Sequence, residues 1–65
     1  MEFLEKAKIR MEHWLEHNDQ HQEEYAKFAQ ELAEAGKLEA AKHVQDMVDL
    51  TAKSSVSLKK ALEVM

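Results

Sequence analysis

A single glycine, Gly36, in a chain with no proline and no cysteine is the feature that most constrains the fold. Glycine and proline punctuate strands and tight hairpins, so their near absence leaves long helices as the available regular structure. Ala, Glu, Lys, Leu and Gln, all good helix formers, dominate the remainder. Glu31-Leu32-Ala33-Glu34-Ala35 runs straight into Gly36, and Lys37-Leu38-Glu39-Ala40-Ala41 resumes at once. This is the arrangement in which glycine takes the left-handed position that ends a helix. The reading is therefore all-α: helix 1 over about residues 2–35, a turn at Gly36 and helix 2 over about 37–64, one antiparallel two-helix hairpin. Charge agrees with it, since residues 1–35 carry nine acids and four bases (net −5) and residues 36–65 carry four acids and five bases (net +1).

Size then poses a problem. At 65 residues, with disulfides ruled out, the chain lies below the roughly 70–80 residues at which one core alone gives a comfortable margin. A second copy, a bound metal or very good helix packing must supply the difference. The first helix carries apolar residues in two heptad rows, Leu4, Met11, Asn18, Tyr25 and Leu32, and three residues on Ala7, Trp14, His21, Phe28 and Ala35. The second helix gives Ala41, Val48, Ser55 and Leu62, with Val44, Thr51, Leu58 and Met65 three residues on. Further apolar positions, Phe3, Leu15 and Ala29 on one helix and Leu38, Met47 and Ala61 on the other, make each apolar face wider than a two-helix seam needs. The expected assembly is a homodimer, or a higher homo-oligomer, in which two hairpins form a four-helix bundle. The alternative is a three-helix bundle, with Asn18 or Asp19, or Ser54 or Ser55, capping a further helix.

The heptads contain polar interruptions, and these coincide. Folding the hairpin about Gly36 pairs positions summing to about 72, which sets Asn18 level with Ser54, His21 with Thr51 and His17 with Ser55. One shared polar layer of Asn18, Thr51, Ser54 and Ser55 is thus expected in an otherwise apolar core. Such a layer fixes register and oligomer state in helical bundles without any ligand.

His13, His17 and His21 recur every four residues and so run along one stripe of the first helix. An i, i+4 pair of imidazoles suits a transition metal such as Zn, Ni or Co. Expected ligands are His17 and His21, then His13, with the shell completed from a second chain or by the polar layer. His43 mirrors a position near Ala29 and stands apart from them. Glu12, Glu16, Asp19, Glu23 and Glu24 surround the stripe with no Lys or Arg between Glu12 and Glu24, a patch that concentrates cations. Metal there competes with protons and weakens below neutral pH. Trp14, Tyr25 and Phe28 read as core anchors.

Catalysis finds no support. The Glu-x-x-His motif of di-iron bundles is absent, because the residues three before the four histidines are Arg10, Trp14, Asn18 and Ala40. Ser54, Ser55 and His17 could meet across the hairpin, without an evident oxyanion hole. The acidic balance of −4 argues against nucleic acid, where Lys and Arg supply most of the affinity. With no stretch approaching the ~20 apolar residues of a membrane span and no leader pattern, a cytoplasmic, non-enzymatic protein is expected.

The run His13 to His21, HWLEHNDQH, resembles a stretch found in short stand-alone prokaryotic helical proteins of unknown function, a resemblance that extends to ELAEAGK at the turn. It implies a recurring His-Asn-His layer and no particular activity.

Overall fold

A computed structural model describes residues 2–65 as two helices in antiparallel contact, α1 (Glu2–Glu34) and α2 (Leu38–Glu63). Both run unbroken through Asn18 and Ser54, so the polar residues interrupt the hydrophobic pattern and leave the backbone continuous. Gly36 adopts φ +83°, the only positive value among the described residues. With glycine there, Lys37 N–H donates to the Leu32 carbonyl at 2.9 Å and Gly36 N–H to the Ala33 carbonyl at 3.0 Å. These two bonds make a Schellman motif, which satisfies carbonyls that the end of α1 leaves open. α2 starts immediately, with no side-chain cap at Lys37. Glu2 and Glu5 sit in the first turn of α1 and Glu39 in that of α2, where carboxylates meet the positive ends of the helix dipoles.

The result is a single layer, 53 × 15 × 11 Å. Its radius of gyration is 15.2 Å, against roughly 11 Å for a compact chain of this length. Among the described residues only Ala29, Ala41, Val48 and Ser55 are buried; all four are small or medium side chains, and no large one is enclosed.

The row that α1 turns inward corrects the heptad reading. Met11, Asn18, Tyr25 and Leu32 face α2 as expected, half-buried, but their companions lie four residues on, at Leu15, Gln22 and Ala29. Trp14 and Phe28, expected as core anchors, are instead 49% and 54% exposed, and His21 is exposed beside them. The physical reason is size. A seam that closes on Ala29, Ala41 and Ser55 lets two helices approach and keep continuous van der Waals contact, whereas two aromatic rings in that row would hold them apart. In α2 the inward residues follow the expected rows as far as Leu62, with Ala41, Val48 and Ser55 buried and Val44, Thr51, Leu58 and Leu62 half-buried, whereas Met65 at the end of the second row is exposed.

Candidate functional site

Two faces of the plate remain. Along one, α1 presents Asp19, Ala26 and Ala33 beside Leu38 and Gln45 of α2, a shallow surface of mixed polarity. Along the other runs the displaced row. Phe3, Ala7, Met11 and Trp14 line one groove there, with Lys6 and Arg10 at its edge. Helical spacing continues this face through His21 and Phe28 and brings Met47 of α2 onto it, 40% exposed.

Near mid-length the apolar face is interrupted by histidine. The rings of His13 and His17 lie 4.3 Å apart and tilted by 58°, and those of His17 and His21 lie 6.0 Å apart at 61°. His21 stacks on Tyr25, with centroids 5.6 Å apart and planes within 10°. Its Nδ1 stands 3.6 Å from Glu24 Oε2. Glu24 and Tyr25, one turn on, thus flank His21 on two sides, with Glu24 facing Nδ1. Glu24 and Tyr25 were not among the candidate site residues; their signal was their spacing, three and four residues beyond His21. The side chains of all three stripe histidines are exposed, with His13 turned farthest from α2 by helical spacing. His43 is remote on α2 and pairs at 3.9 Å with Asp46.

Beside the histidines lies the polar layer. Asn18 Nδ2 donates to Ser54 Oγ at 3.1 Å, the side-chain hydrogen bond that joins the two helices. Thr51 Oγ1 donates to the Met47 carbonyl one turn back at 2.9 Å, so it makes no bond to His21. Ser55 Oγ is buried with no hydrogen-bond partner, and the expected pairing with His17 does not form. Among the described residues no three His, Asp or Glu side chains of one chain converge on a common point. His17 and His21 thus offer two ligands of a shell that needs more.

The geometry defines a single-layer α-hairpin carrying a histidine stripe on an uncovered apolar face. Residues 7–65 match the family described as a domain of unknown function, DUF8180, and the chain belongs to that family. No curated protein and no solved structure gives a significant match. Among the described residues no helix is long and apolar enough to cross a membrane.

Proposed function

We propose that this chain is a non-enzymatic self-association module: a hairpin that forms half of a four-helix bundle, paired with a second copy through the Trp14, His21, Phe28 and Met47 face. The stretch His13 to His21, inside the matched residues, is its working part, and the Asn18–Ser54 layer sets its register. The observation that carries the reading is the line of large apolar side chains left outside a seam that buries four small or medium ones. Domains are normally built from at least two packed layers, and contiguous exposed apolar patches mark interaction surfaces.

Surface area supports the same occupant. The hairpin exposes 5238 Å², whereas a compact monomer of 7.5 kDa exposes about 4,250 Å². The excess of roughly 1,000 Å² matches the ~800 Å² that each partner contributes to a standard interface. A second copy is the partner whose face is complementary in extent and polarity, because the polar layer lies at mid-length and meets itself when two hairpins overlap fully. Transition-metal binding by His17 and His21 is the second reading, favoured by two imidazoles 6.0 Å apart on that face.

Trp14 is the only tryptophan, so its fluorescence reports the face directly. Its emission should move to shorter wavelength as protein concentration rises through the association range. A solvent-exposed emission maximum that stays fixed over that range contradicts the reading.

A further inference from the structure

We infer that two copies of this chain together build one divalent transition-metal site, held by His17 and His21 of each copy where their α1 helices cross antiparallel. The inference rests on the self-association reading and adds a ligand to it.

Three observations lead there. The first is position. α1 spans Glu2–Glu34, so its midpoint falls at Asn18, between His17 and His21. An antiparallel pair of α1 helices that crosses at residue 19, one residue from that midpoint, sets His17 level with the partner's His21, and the reverse. The second is charge. Arg10, His17, Glu24 and Glu31 recur every seven residues on one stripe. Antiparallel pairing places Arg10 toward the acidic half of the other helix, whereas parallel pairing stacks like on like. The third is preparation of the ligand. Glu24 Oε2 lies 3.6 Å from Nδ1, a small rotamer change from the hydrogen bond that outer-shell carboxylates make to metal-bound imidazoles, and the Tyr25 ring stacks on His21.

The spacing is suitable. With metal–nitrogen bonds of about 2.0–2.1 Å, two imidazoles on one tetrahedral ion have ring centroids about 5.3 Å apart. His17 and His21 stand at 6.0 Å, within a small rotamer adjustment of that value. Helical spacing turns both toward the uncovered face, and turns His13 away from it. Four neutral imidazoles in tetrahedral array suit Zn or Co, and the carboxylates from Glu12 to Glu24 offset the charge of the ion.

The test is titration of the untagged full-length chain with Co(II), read by visible absorption and by sedimentation. One ion per two chains is expected, with the intense spectrum of tetrahedral cobalt. His17→Gln and His21→Gln should each abolish that spectrum while remaining dimeric, and His13→Gln and His43→Gln should leave it intact. Glu24→Gln should lower affinity about 10- to 100-fold, as for other outer-shell partners. One ion per chain, or loss of the spectrum in His13→Gln equal to that in His17→Gln, overturns the shared site. A dimer that takes up no cobalt removes the site and leaves self-association standing. A chain that is monomeric with and without cobalt removes both.

Discussion

Asn18 Nδ2 and Ser54 Oγ are joined at 3.1 Å across 36 residues of chain, tying the midpoint of α1 to α2. A hydrogen bond across a seam built mainly of Ala, Val, Leu and Met specifies register, because sliding either helix by one turn breaks it. Asn18 is half-buried and Ser54 exposed, so the bond contributes modestly to stability, about 0.5–1.5 kcal/mol. Asn18→Leu should accordingly leave thermal stability level or raised, while the oligomer distribution broadens and backbone NMR signals multiply. A variant with one sharp set of signals, destabilised by more than about 2 kcal/mol, would show that the bond matters for stability and not for register.

Ser55 has the opposite character. The residue is 5% exposed, and its buried hydroxyl has no partner. Leaving such a group unsatisfied costs about 1–3 kcal/mol, and Ala fits the same space with better helix propensity. Ser55→Ala should therefore stabilise the hairpin by about 1 kcal/mol, a rise of about 4–8 °C in Tm for a domain of this size. A fall in Tm on calorimetry would mean that the hydroxyl is satisfied in solution.

Gly36 closes the turn at φ +83°, and an added Cβ would meet nothing within 4 Å. The cost of replacing it is therefore conformational alone. Gly36→Ala should destabilise by about 1 kcal/mol and Gly36→Asn by less, since Asn tolerates the left-handed region. Equal denaturation midpoints for all three proteins would exclude a left-handed residue at the turn.

These residues also show how far the sequence is legible. The turn can be read because a left-handed backbone is a local demand, and one glycine in a proline-free helical composition answers it. The Asn18–Ser54 pairing can be read as well, since a short turn fixes which positions lie level. The inward row of α1 cannot be read from spacing alone. Trp14, His21 and Phe28 form as regular a heptad row as Leu15, Gln22 and Ala29 do, and the choice between them depends on side-chain size across the seam. Nor does the pattern show what holds His21, because Glu24 and Tyr25 look like an ordinary solvated acid and an ordinary core aromatic until the rotamers are placed.

His21 gives a prediction whose sign depends on metal. In the metal-free protein, leucine at this position makes the apolar line from Trp14 to Phe28 continuous and removes a polar group from the proposed interface. His21→Leu should then tighten metal-free self-association and melt higher, while added Zn, which the proposed site requires to stabilise the wild type with the logarithm of its concentration, should no longer raise the melting temperature. Weaker self-association of the metal-free variant would place His21 outside the interface.

The central claim, that the hairpin is half of a bundle, is tested most directly by sedimentation equilibrium of the untagged chain over a wide concentration range without metal. The account predicts a mass of about 15 kDa at micromolar concentration, twice the 7.5 kDa of one chain, falling toward 7.5 kDa on dilution, with Trp14→Glu and Phe28→Glu held at the lower mass. A 7.5 kDa species at every concentration, with a cooperative melt that does not depend on concentration, contradicts it.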